Sequence, residues 1–247
     1  AEESDWEQAL TSISAGLNQV QDGSRIGVIA SAQLTNEELF LIREIFQRSL
    51  GATVTTDVPE EPGFCDDFLI KADKNPNTRG AALLGLAGEQ SQPGGAEQVI
   101  DDALAGNLEV LWVFGHDLGQ LFGEEKVRQL AEKVPLFVFS GTNENPTTSA
   151  ADWVLPTAGY VEKGGTFVNC HGRLQRIGCA FKPLADSRED WRVLLQLAQK
   201  LRLPFDWQEP EEIFAGLAES LVPFQGLNYD LIGPQGVAAA AEGMALS

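Results

Sequence analysis

The chain has 247 residues, with 36 acidic against 17 basic side chains and a net charge of −19. That charge excludes nucleic acid and anionic lipid as default partners. Hydrophobic content of 43% marks a globular chain rather than an acidic disordered tail. No apolar run approaches the ~20 residues of a membrane helix. The longest runs, Val110–Phe114 and Leu136–Phe139, have the length of buried strands.

Cysteine usage points the same way. Cys65, Cys170 and Cys179 form no CxxC and too few pairs for a disulfide framework, which fits a reduced compartment. Three cysteines also fall short of the four that an iron–sulfur cluster takes from one chain. The only methionine is Met244, and neither a basic n-region nor an apolar h-region opens the chain. The simplest expectation is a piece of a longer polypeptide without a signal peptide.

In chain order, Ser4 and Glu7 have capping-box spacing, and Trp6, Leu10, Ile13, Leu17 and Val20 recur at helical spacing, so 5–20 reads as an amphipathic helix. Ile26–Ala30 reads as a buried strand. Thr35 and Glu38 form a second capping box, followed by the apolar stripe Leu39, Ile42, Phe46 and Leu50, with Gly51 at the helix stop. Ala52–Thr55 reads as a second strand. Acidic and proline residues mark a loop over 57–62, and Phe68–Ile70 reads as short extended structure. The stretch 73–80 has turn chemistry, and 88–95 reads as another loop. Helices are expected over Ala96–Leu104 and Glu124–Glu132, and strands over Val110–Phe114, Leu136–Phe139 and Trp153–Leu155. Thr166–Asn169 and Arg173–Ile177 read as a β-hairpin, with Phe167 as its buried anchor. Arg188–Leu201 and Pro210–Leu221 read as helices, and the Gly- and Ala-rich tail from Pro223 as a surface wrap or a frayed end. Alternating strands and helices of these lengths predict a doubly wound, mostly parallel α/β sheet covered on both faces. No internal repeat is present.

The residues offer little overt chemistry. Gly115–Gly119 follows a strand, where parallel sheets bind ligands, but it is not GxGxxG, and no GxxxxGK[ST] exists. The loop Ser31–Leu34 precedes a helix yet lacks glycines for close approach to an anion. Cys170, His171 and Cys179 match no zinc spacing and lack a fourth ligand. His116 has the chemistry of a general base but no paired nucleophile nearby in sequence, so a hydrogen-bonded loop histidine is the plainer reading. Most carboxylates follow helix faces and loops as solvated surface.

Longer motifs say more. Ala151–Pro156, Glu162–Asn169 and Gly172–Gln175 resemble the A-D-x-V-L-P, E-x-x-G-T-F-x-N-x-E-G-R-x-Q signature of the molybdopterin oxidoreductase superfamily. Thr35–Glu38 resembles its T-N-E-E, and Trp6 with Ala9 and Leu10 its W-x-x-A-L helix; the likeness runs over about residues 4–205. Within the superfamily, Ala72–Gly80 followed by Leu83–Gly85 resembles the large iron–sulfur subunit (the G subunit) of NADH:quinone oxidoreductase, respiratory complex I. Two positions depart from the superfamily pattern. The usual Asn-Pro after the strand 110–114 is absent after Gly115, and His171 stands where a glutamate is usual.

The resemblance implies a Rossmann-like α/β domain over 1–205, then a C-terminal helix and irregular tail over 206–247. It implies a redox-silent scaffold that supports electron transfer from NADH to quinone and has no activity alone. No cofactor or metal is expected in the fragment, and iron–sulfur clusters are expected in a missing N-terminal region. Gly115, Asn169 and Arg173 are the candidates for a vestigial cofactor site, and Lys163, Arg173 and Arg176 for a basic cluster that a phosphate would need. The implied partners are the rest of the subunit and other peripheral-arm subunits, with no nucleic acid and no direct membrane insertion. The implied location is cytoplasmic, peripheral to the inner membrane within a complex. Two alternatives stand beside this: a cofactor-binding fragment of an enzyme such as formate dehydrogenase, and a small-ligand α/β binding module.

Overall fold

The structure, a computed structural model, describes residues 3–59, 64–88 and 94–239. Five parallel strands form the main sheet: β1 (Ile26–Ala30), β2 (Thr53–Thr55), β3 (Val110–Phe114), β4 (Leu136–Gly141) and β5 (Trp153–Pro156), in the order β2-β1-β3-β4-β5. The order reverses between β1 and β3, so the loops after those strands diverge and leave a crevice at the carboxyl edge.

Strand alternation splits the core into two layers. Val110, Trp112 and Phe114 face one side with Val28, Ala30 and Val138, against α1 (Trp6–Gln19), α2 (Asn36–Ile42), α8 (Asp190–Lys200) and α9 (Pro210–Ser220). Leu111 and Val113 face the other with Ile29, Phe137 and Phe139, against α4 (Gly95–Leu104) and α6 (Glu124–Lys133). Both faces are covered, which is why these strands read as continuous apolar runs. Among the described residues no helix is long and apolar enough to cross a membrane.

A small antiparallel sheet caps the crevice side. It contains β6 (Gly165–Val168), β7 (Arg173–Ile177) and β8 (Val237–Ala238), in that order. A Cβ on Gly165 would lie 2.7 Å from the Thr35 side chain, so this glycine lets the hairpin sit directly on the start of α2. The α/β architecture with its parallel sheet and small hairpin is therefore as the sequence predicts.

Several details differ. Asp5, not Ser4, caps α1, accepting the Gln8 N–H. The Thr35–Glu38 box forms in both directions, but the helix behind it widens into a π-helical turn over Arg43–Ser49. Phe68–Ile70 is a bend rather than extended structure, because Asp66 gathers the backbone N–H groups of Phe68, Leu69 and Ile70. Helix α3 (Thr78–Leu83) begins inside the expected turn, and the short helices α5 (Leu118–Phe122) and α7 (Pro146–Ala150) add to the sequence reading. The loop expected over 88–95 lies partly outside the described residues. As far as residue 239 the tail is tied down: α10 (Tyr229–Ile232) packs on β7, and β8 extends the hairpin; the rest of the tail lies outside the described residues. Phe167 is half-buried, whereas Thr166 and Val168 point into the core, so the expected anchor lies one residue out of register.

Candidate functional site

The loops leaving β1, β3, β4 and β5 surround a crevice of about 400 Å³. Ser31 follows β1, Gly115 follows β3, and Ser140 with Gly141 ends β4. Thr157–Tyr160 follows β5, while Lys163, Phe167 and Asp190 complete the wall. Gly115 has φ +73°, and a Cβ there would lie 3.2 Å from Ser31 Cβ, so the two loops approach as closely as a glycine allows.

A buried ion triad borders the crevice. Lys163 Nζ lies 2.8 Å from Glu38 Oε2 and 3.0 Å from Asp190 Oδ2. Burial alone would draw the ammonium down; Asp190 and Glu38 outweigh it and hold Lys163 above its ordinary value. Burial pushes Glu38 up, opposed by Lys163. Glu38 Oε2 also accepts the Thr35 N–H, whereas Oε1 has no partner among the described residues. The triad joins α2, the hairpin approach and α8.

Three helices that start at this edge, α2, α5 and α7, are closed by their own side chains, whereas α3, which starts beside Pro76, and α8, which starts at Asp190, have no side-chain cap. Thr35 accepts the Glu38 N–H on α2. Asp117 accepts from Gly119 and Gln120 on α5, and Asn145 from Thr147 and Thr148 on α7. These N–H groups are the donors that a phosphate would otherwise find.

The sequence candidates divide. Gly115 lines the crevice. Asn169 instead organises the hairpin turn, its Oδ1 accepting from the His171 and Arg173 N–H groups, and its amide donating to Gln175. Arg173 reaches the tail, donating to the carbonyls of Gln235 and Gly236. Arg176 stacks 4.3 Å from the Tyr229 ring and donates to its carbonyl. Lys163 belongs to the triad, so the three expected basic residues serve three separate sets of partners.

His116 is half-buried and donates to the Ala30 carbonyl. Desolvation lowers it to about 4, so it is a neutral imidazole at neutral pH, with Nε2 unpartnered among the described residues. Cys170, His171 and Cys179 are exposed, and among the described residues no three His, Cys, Asp or Glu side chains form a metal-binding group. The triad is what sequence reasoning missed. Glu38 was legible as a cap and Lys163 as a candidate member of a phosphate-binding basic cluster. The available signal was Glu37 and Glu38 standing against the unbroken apolar run Leu39–Ile42.

The sequence model of the family described as molybdopterin oxidoreductase matches residues 74–200. The chain belongs to this molybdopterin oxidoreductase family. A Staphylococcus haemolyticus protein provisionally named formate dehydrogenase is 33% identical over 134 residues, 54% of this chain and 14% of that protein. A Staphylococcus aureus protein of the same provisional name is 30% identical over 166 residues, 67% of this chain and 16% of that protein. The chain thus spans only 14% to 16% of these relatives' length. Among solved structures, acetylene hydratase from Pelobacter acetylenicus aligns with TM-score 0.47 and 14% identity, over 89% of this chain and 28% of that one.

Proposed function

We propose that the chain is a scaffold domain of a larger electron-transferring oxidoreductase, and that its family crevice holds no pterin dinucleotide. The observation that carries this is the charge arrangement of the crevice. A pterin guanine dinucleotide brings a pyrophosphate, which needs free cations or open helix N-termini. The lining has one cation, Lys163, and two carboxylates already pair with it. The N-termini of α2, α5 and α7 are closed by their own side chains, and α8, which has no side-chain cap, opens on the carboxylate of Asp190, leaving only the short α3 beside Pro76 without a cap or a carboxylate. These residues do not fit the diphosphate.

For the whole protein, the curated relatives support a formate-dehydrogenase-like enzyme better than the NADH:quinone oxidoreductase subunit. In that reading formate oxidation belongs to centres outside these 247 residues. The second reading, the large iron–sulfur subunit of NADH:quinone oxidoreductase, is favoured by one specific feature, the motif Ala72–Gly80 with Leu83–Gly85. In both readings the domain supports redox centres carried elsewhere, because hydride and electron transfer are the chemistry of cofactors.

The test is to purify the chain, assay molybdenum, record pterin fluorescence after denaturation, and titrate GDP and guanosine. The expected result is no molybdenum, no pterin and no saturable GDP binding. Stoichiometric pterin would overturn the scaffold reading and make the crevice a cofactor site. Dye-linked oxidation of formate against NADH by the full-length protein separates the two whole-protein readings.

A further inference from the structure

The long connection between β2 and α3 exposes a run of large apolar side chains. Phe64 is 72% exposed, Phe68 91%, Leu69 74% and Ile70 39%. The backbone beneath them is pinned. The Asp66 carboxylate accepts the N–H groups of Phe68, Leu69 and Ile70 at 3.0, 2.6 and 2.7 Å, and Asp66 N donates to the Ile70 carbonyl at 2.9 Å. Lys74 donates to the carbonyls of Phe64 and Lys71. The side chains are therefore held outward on a closed turn rather than folded against the nearby core. A contiguous exposed apolar patch of this kind marks an interaction surface, and a connection this long, with no helix or strand among its described residues, is commonly functional.

The charges around the patch select the occupant. In the sequence, positions 57–74 carry six carboxylates, at 57, 60, 61, 66, 67 and 73, against Lys71 and Lys74, so the segment is net acidic. The chain as a whole carries −19. A second copy and an anionic bilayer would both be repelled. An apolar cleft rimmed by Lys and Arg complements both the phenylalanines and their acidic frame. We propose that residues 64–70 form a docking finger that inserts Phe68 and Leu69 into a basic-rimmed apolar cleft on a protein surface elsewhere in the assembled oxidoreductase. This rests on the reading that the domain works inside a larger oxidoreductase.

The test uses the full-length protein purified in its native assembly, with Phe68→p-benzoylphenylalanine as a photo-cross-linker. The cross-link should map to protein outside residues 1–247, on an apolar segment flanked by Lys or Arg. Phe68→Ser with Leu69→Ser should weaken assembly at least about tenfold, with the far-ultraviolet spectrum of the full-length protein unchanged. Raising salt from roughly 0.05 to 0.5 M should weaken the wild-type contact as well. Cross-links to residues 1–247, to a second copy or to lipid, the absence of any cross-link, or wild-type assembly of the double variant would each overturn the proposal. The purified 247-residue chain is assayed for pterin in parallel. Stoichiometric pterin in that chain would refute the scaffold reading while leaving the finger intact, so the two failures are distinguishable.

Discussion

Tyr229 donates its hydroxyl hydrogen to Glu37 Oε1 at 2.9 Å, joining residues 192 positions apart. The same carboxylate accepts the Thr166 N–H at 2.8 Å and the Thr166 hydroxyl at 2.9 Å. One buried side chain thus ties α2 to the hairpin and to the C-terminal helix α10. Burial and the facing carboxylate push the Tyr229 phenol well above its ordinary value, so it stays a donor.

This carboxylate makes stability depend on pH. Burial raises Glu37 from 4.5 to about 7, against the pull of its hydrogen bonds. The folded chain therefore keeps a proton that the unfolded chain releases, and stability falls as pH rises from 4.5 to 7, by on the order of 3 kcal/mol. His116 acts with the opposite sign. Burial lowers it from 6.5 to about 4, so the unfolded chain takes up the proton first and stability falls as pH drops from 6.5 toward 4. The two slopes offset each other where they overlap. Glu37→Gln should unmask the histidine, with a melting temperature that climbs between pH 4.5 and 6.5. His116→Gln should unmask the glutamate, with a melting temperature that declines toward pH 7. Parallel profiles in the two variants would refute both assignments.

Lys163 should be hard to replace. Lys163→Met leaves Glu38 and Asp190 facing each other without their cation, and stranding a buried charge in this way costs roughly 3–5 kcal/mol. Adding Glu38→Gln and Asp190→Asn removes the stranded charges and should recover part of that loss. Urea unfolding measures both. A loss under about 1 kcal/mol for Lys163→Met would mean that the triad is hydrated rather than buried.

Much of the fold was legible because its signals are local. The runs Ile26–Ala30 and Val110–Phe114 match their strands residue for residue, since both faces of the sheet are covered and the apolar pattern is unbroken. The Thr35 box also appears as read. What escaped depends on distant partners. Nothing near Lys163 in sequence announces Glu38, which lies 125 residues away, or Asp190, 27 away. Likewise Arg173 looked like a phosphate ligand, but its partners are carbonyls of the tail, which no spacing rule connects to the hairpin. Gly115 was recoverable because it sits directly at a strand end, where the topology itself makes the crevice.

The hairpin gives the sharpest test of register. A strand places alternate residues on opposite faces, so Thr166 and Val168 cannot share a face with Phe167. In β6 the buried face holds Thr166, bonded to Glu37, and Val168, which joins the main core with Leu174 of β7. Leu174 and Val168 pair directly across the ladder, and both are buried. Phe167 faces the crevice, so truncating it removes only part of a buried surface and leaves a space that water already reaches. Leu174→Ala opens a cavity in a closed core, which costs about 2–5 kcal/mol and leaves little room to relax. Phe167→Ala should cost under about 1.5 kcal/mol, because the ring is only partly removed from water. Chemical denaturation of the two variants side by side measures the difference. A Phe167→Ala loss equal to or greater than that of Leu174→Ala would place the aromatic ring in the core and shift β6 by one residue.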